Sequence, residues 1–224
     1  MSAVVTTATS RQAGRESKTT ATRIVVSAFG ALAALAGVEH GVGELLQGSV
    51  RPPSVVIESW PETAGFEILS GEPAMTLVPN MAVTGVLAII AALAVGVWAV
   101  WFIQRPHGGL ILIALSVVLL LLGGGFGPPA VATIVGVAAT RIGRERRRDP
   151  GFLGSALARA WPWLLGAGLV GYLGLVPGMV LVSRTTGFDN QYVVSGLMFV
   201  AFAGLILSLI AARAYDDLTV GTSS

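Results

Sequence analysis

Glu39, His40 and Glu44 put two carboxylates and an imidazole into one stretch, Gly37-Val-Glu-His-Gly-Val-Gly-Glu-Leu-Leu-Gln47, inside an apolar run that begins at Ile24. Such groups can pass protons or hold a cation. An ionised carboxylate in hydrocarbon is costly, so an ionisable residue within an apolar segment is a candidate for function. Successive helical residues are about 100° apart, so Glu39 cannot share the direction of His40. Ala33, Ala36, Gly37, His40, Glu44 and Gln47 fall together on one side of the wheel. Gly37 and Gly41 form a small-xxx-small pair that lets another helix approach closely, so this side should face protein. Glu39, His40, Glu44 and Gln47 are therefore the candidates to line a polar cavity. The competing reading is that Glu44 and Gln47 end the helix at a wet interface.

The alternatives around this stretch are weaker. His40 and Glu44, four residues apart, could offer two metal ligands from one face, but zinc usually takes three or four protein ligands. The other histidine, His107, falls on the opposite side of the membrane, so carboxylates such as Glu39 or Glu72 would have to complete a site. The spacing is not the H-E-x-x-H pattern. The expectation is no metal and no cofactor. Glu72 and Asn80 bracket a segment that could fold over Glu39 and His40 as a lid. The plainer reading is an interfacial turn with Asn80 capping the next helix. Gly123, Gly124 and Gly125 open a Gly/Pro run to Pro129, which could present backbone amides to a ligand as broken transporter helices do, or simply make a tight turn. No G-x-S-x-G, no Walker loop and no dinucleotide-binding glycine motif is present, so an enzyme is disfavoured.

The elements that position these residues must lie in a membrane. The 224 residues are 54% hydrophobic and 12% charged, against about 25% charged in ordinary soluble domains. Cysteine is absent, which removes disulfides and thiolate chemistry. The Arg-, Ala-, Gly- and Val-rich composition hints at a bacterial source. The expected fold is all-α, a polytopic helical bundle of about six spans. Residues 1–22 read as a disordered cytoplasmic tail and 23–213 as the membrane domain, with spans at 24–47, 81–103, 109–122, 129–140, 160–182 and 192–212. Residues 48–80, rich in proline and glutamate, form an outer loop in which Trp60 and Phe66 suit the headgroup interface, and 214–224 form a second cytoplasmic tail. A rival reading has a signal-peptidase site after Ala36.

Charge sets the orientation. With both termini inside, twelve of the fourteen basic residues fall on the cytoplasmic side, leaving Arg51 and Arg184 outside with Glu58, Glu62, Glu67, Glu72 and Asp189. Arg105 and the cluster at 141–148 both favour the cytoplasm, so 109–140 should cross an even number of times as a short, Gly/Pro-broken hairpin. A re-entrant arm is the other form it could take. The functional expectation is a plasma-membrane transporter or channel-like protein for a small solute or ion, with an outward-facing cavity. A membrane scaffold or accessory subunit is the alternative, and a membrane-embedded enzyme a third reading. The expected partners are the lipid bilayer and either a second copy or another membrane protein, not nucleic acid.

Overall fold

The computed structural model describes residues 20–61, 71–143, 151–188 and 190–221. Expectations for residues 1–19, for Glu62, Phe66 and Glu67, for Arg144, Arg146, Arg147 and Arg148, for Asp189 and for residues 222–224 lie outside them. The fold is all-α apart from one small ribbon. Its elements in chain order are α1 (Ala21–Leu46), β1 (Val56–Glu58), β2 (Pro73–Met75), α2 (Met81–Val97), α3 (Gly108–Leu121), α4 (Gly127–Ala139), α5 (Gly151–Leu173), α6 (Met179–Thr186) and α7 (Gln191–Gly221). Strands β1 and β2 pair antiparallel, with Ile57 opposite Ala74.

Among the described residues three helices are long and apolar enough to cross a membrane: Ala21–Leu46, Met81–Phe102 and Gln191–Thr219. At about 1.5 Å per residue, each exceeds the roughly 30 Å hydrocarbon core. Helices α3 and α4, with 14 and 13 residues, reach only about 20 Å each.

Local chemistry accounts for the helix ends. Thr20 caps α1 through the Arg23 amide, and Asn80 caps α2 through the Val83 amide. Two consecutive prolines, Pro128 and Pro129, sit in the first turn of α4, where their missing N–H groups cost nothing. Helix α2 continues into a π-helical turn, Trp98–Phe102, and the Ser27 hydroxyl donates to the Ala99 carbonyl from α1. A second π-helical turn, Gly174–Gly178, contains Pro177 and joins α5 to α6. The helix expected at 160–182 thus lies inside a longer run, 151–186, with a local widening at Pro177.

Helix α1 is the hub, packing against α2, α4, α5 and α7. Its apolar core side is Val25, Val26, Phe29 and Ala33, all fully buried. The glycines set how closely helices meet. A side chain at Gly41 would strike the Gly85 backbone of α2. A side chain at Gly168 would meet both Phe29 of α1 and the Gly204 backbone of α7. Gly37 abuts Ala92 and Leu119. The pairs α5 with α7 and α3 with α4 complete the bundle.

The two ends of the bundle differ in charge. At one end, Asp216 of α7 accepts from the Ala21 and Thr22 amides, and Arg213 donates to the Arg141 carbonyl. Gly109 lies against Thr140, so the Arg105–His107 turn belongs to this end too. At the other end, the ribbon covers α1 where Glu39, His40 and Glu44 lie.

Candidate functional site

The last two turns of α1 carry the acidic and imidazole groups, and the segment after β1 brings a hydroxyl to them. Ser59 is fully buried, and its backbone amide donates to the Glu72 carbonyl. Its Oγ lies 2.9 Å from His40 Nδ1 and donates to Glu44 Oε1 at 3.2 Å. With Glu44 ionised, the single hydroxyl proton goes to Glu44, so Ser59 Oγ accepts from His40 and Nδ1 carries a proton. That assignment leaves the Nε2 lone pair of a neutral His40 facing the other way. Nε2 stands 3.5 Å from Glu72 Oε2.

Three ligand-type groups therefore converge. One donor atom each from Glu39, His40 and Glu72 lies within 4.8 Å of the others. The wheel placed Glu39 away from His40. Glu72 of the loop nevertheless comes near both, so side chains leaving the helix about 100° apart contribute to one cluster. Glu39 Oε1, Glu44 Oε2 and Glu72 Oε2 are buried without a hydrogen-bond partner among the described residues. Burial pushes the Glu72 carboxyl up to about 7, because removal from water disfavours its charged form.

The glycine turn between α3 and α4 closes the site from beneath. Gly123 and Gly125 adopt left-handed backbone angles, φ +98° and +72°, which side chains resist. A Cβ at Gly123 would collide with the Glu44 carboxylate, and one at Gly125 with the His40 imidazole. Gly124 packs on Leu119 instead. The turn is held to the loop above by the Leu77 amide, which donates to the Leu121 carbonyl at 3.1 Å, and by a bridge between Thr76 and Leu122.

A cavity of about 230 Å³ adjoins these groups, lined by Glu39, His40, Glu72, Phe126, Tyr172 and Phe202 among others. It lies between α1, the α3–α4 turn, α5 and α7. Its polar wall is the Glu39–His40–Glu72 cluster and the remainder is largely apolar, the general form of a small-ligand site.

The other sequence candidates take structural positions. Gln47 donates to the Glu58 and Ser59 carbonyls at 3.0 Å each, tying the ribbon to α1. Asn80, besides capping α2, donates to Ser49 Oγ at 2.7 Å. Three contributors escaped sequence reasoning. Ser59 is one short polar residue in a loop, and Tyr172 lies within a packing helix. Trp60, read as an interfacial residue, is buried on Gly43 and neighbours the Glu39 carboxylate. Comparison of the chain with protein-family models, with curated proteins and with solved structures finds no match.

Proposed function

We propose that the protein is a multi-pass plasma-membrane protein that admits a small cationic solute or ion to an outward-facing cavity at Glu39, His40, Glu44 and Glu72, as a transporter or channel-like protein does. The single observation that carries this reading is the convergence of Glu39, His40 and Glu72 on the wall of a cavity between helices, with the buried Glu44 behind them, joined to His40 through Ser59. Such an accumulation of acceptors in an apolar setting is costly unless positive charge is admitted to it.

The crossing pattern in this reading is six, with both termini cytoplasmic. Helices α1, α2 and α7 cross alone, α3 and α4 form a short pair, and the α5–α6 run supplies the remaining crossing. The gathering of Arg23, Arg105, Arg141 and Arg213 at the end opposite the carboxylates supports this orientation. The meeting of α3 and α4 at the site also supports it. Helices of about 20 Å can complete such a pair only where protein or water surrounds their turn, and theirs is packed on His40 and Glu44.

The test is flux into proteoliposomes, with H⁺, Na⁺, K⁺ and Zn²⁺ offered one at a time against entrapped indicator dyes. At least one should enter faster than in protein-free vesicles, and a Glu39→Gln, Glu44→Gln double variant should lose most of that excess. Fluxes equal to the protein-free vesicles for all four, or an excess untouched by the substitutions, would overturn the reading.

A further inference from the structure

We propose that Glu39, His40 and Glu72 are the protein ligands of one divalent transition-metal ion, with Ser59 and Glu44 holding His40 in the ligating tautomer. The inference rests on the reading of this end of the bundle as a cation-accepting cavity and makes that reading specific.

The orientation of the imidazole is the first argument. Ser59 stands between His40 Nδ1 and Glu44 Oε1, so the ring is fixed with Nδ1–H inward and the Nε2 lone pair outward. Metal-binding histidines are commonly held this way, with the non-ligating N–H engaged by a hydrogen-bonded partner. His40 is 6% exposed, so the ring cannot turn to find water. Its Nε2 is aimed at Glu72 Oε2, which makes no hydrogen bond among the described residues. Two such acceptor atoms facing each other share a positive centre, either a proton or a metal ion, and the third donor from Glu39 favours the metal.

The dimensions are the second argument. Ligand atoms about 2.1 Å from a tetrahedral ion stand roughly 3.4 Å apart. The His40–Glu72 pair is already at 3.5 Å, and the whole triad lies within 4.8 Å, so a small contraction of the Glu39 side chain completes the set. Three protein ligands leave a further coordination position, and the 230 Å³ cavity lies beside the triad to supply water or a small ligand.

The donor atoms select the metal class. An imidazole nitrogen is a poor partner for Ca²⁺ and Mg²⁺, which take oxygen ligands. No cysteine is present to favour a soft ion. One nitrogen and two carboxylates suit Zn²⁺, Mn²⁺, Fe²⁺ or Co²⁺. The helix wheel argues against this site because it separates Glu39 from His40, and it cannot show that Glu72 comes near both.

The experiment is metal binding by the purified full-length chain in lipid nanodiscs. Zn²⁺ is titrated calorimetrically and Co²⁺ by its visible absorption, with Ca²⁺ as a comparison ion. The expected result is one Zn²⁺ per chain, tetrahedral-type Co²⁺ bands and no competition from Ca²⁺. His40→Ala and Glu39→Gln should each weaken Zn²⁺ at least 100-fold. Ser59→Ala should weaken it 10- to 100-fold, as loss of an outer hydrogen-bond partner does. Glu58→Gln, which removes an exposed carboxylate at the end of β1, should leave binding unchanged. Size-exclusion profiles confirm that each variant is folded. Absence of Zn²⁺ binding by the parent chain, or equal binding by the His40→Ala and Glu58→Gln variants, would overturn the metal assignment. Outside accessibility of position 39, measured separately, bears on the cavity itself. A chain labelled there but blind to Zn²⁺ loses the metal and keeps the cavity.

Discussion

Ser59 Oγ lies 2.9 Å from His40 Nδ1, joining a loop residue to a helix residue nineteen positions earlier. This contact decides which face of the imidazole is open. The same hydroxyl reaches Glu44, so one small side chain contacts two of the buried polar groups of α1. Ser59→Ala removes the partner of both at once. Leaving buried polar groups unsatisfied costs about 1–3 kcal/mol, so the variant should melt several degrees lower in detergent. Ser59→Thr, which keeps the hydroxyl, should recover much of the loss. Thermal unfolding of the three purified proteins, followed by tryptophan fluorescence, checks this.

The glycine turn offers a steric test. Gly125→Ala places a methyl group against the His40 ring and does so at φ +72°, where an L-residue costs about 1–2 kcal/mol before any clash. Gly127→Ala, two residues on, meets nothing within 4 Å. The first should destabilise the protein and perturb the environment of His40. The second should be close to neutral. Paired melting curves, with the His40 ring resonances in selectively labelled protein, separate the two.

Asp216 joins α7 to the first turn of α1. Its carboxylate oxygens accept from the Ala21 amide at 2.7 Å and the Thr22 amide at 2.9 Å, so it serves α1 as a cap supplied from α7. Loss of a helix cap costs about 0.5–2 kcal/mol. Asp216→Ala should show that loss, and Asp216→Asn, with one acceptor oxygen remaining, should fall between it and the parent. Hydrogen exchange of the Ala21 and Thr22 amides should quicken in the same order.

Glu72 gives the protein a pH dependence whose sign can be stated. Facing it are His40 and Glu39 from α1 and the Tyr172 ring from α5. In the folded chain it keeps its proton up to about 7, whereas the ordinary value is 4.5. Between those limits the folded state binds more protons than the unfolded state, so stability falls as pH rises. The contribution is fully present below pH 4.5 and lost as pH climbs through 7. With chelator present, the melting temperature should decline from pH 5 to pH 8, and Glu72→Gln should flatten that decline. An equally steep decline in the variant would assign the effect to another group.

Much of the helical layout could be read in the sequence because it follows from local pattern. The apolar runs beginning near Ile24, Met81, Gly109 and Tyr192 are helices in the structure, and the Gly123–Pro129 interruption is a turn between two short ones. Helix α7 extends past the apolar run to Gly221 because Arg213 and Asp217 pair along it and Asp216 docks on α1. The site was legible only in part. Glu39, His40 and Glu44 declare themselves by being ionisable in an apolar helix, and Glu72 by its place in the outer loop. What could not be read was their assembly. Ser59 and Glu72 arrive through a three-residue ribbon pairing too short to leave a periodic signal. Tyr172 comes from α5, with three helices of the chain between it and the ribbon.

The most direct measurement is side-chain accessibility in intact cells, for which the cysteine-free chain is a clean background. Glu39→Cys lines the proposed cavity, and Leu35→Cys, one turn deeper on an exposed apolar face, should sit in lipid. A membrane-impermeant thiol reagent added outside should modify position 39 and spare position 35. Modification of position 39 only after the cells are opened, or no modification of it under either condition, would contradict an outward-facing polar cavity.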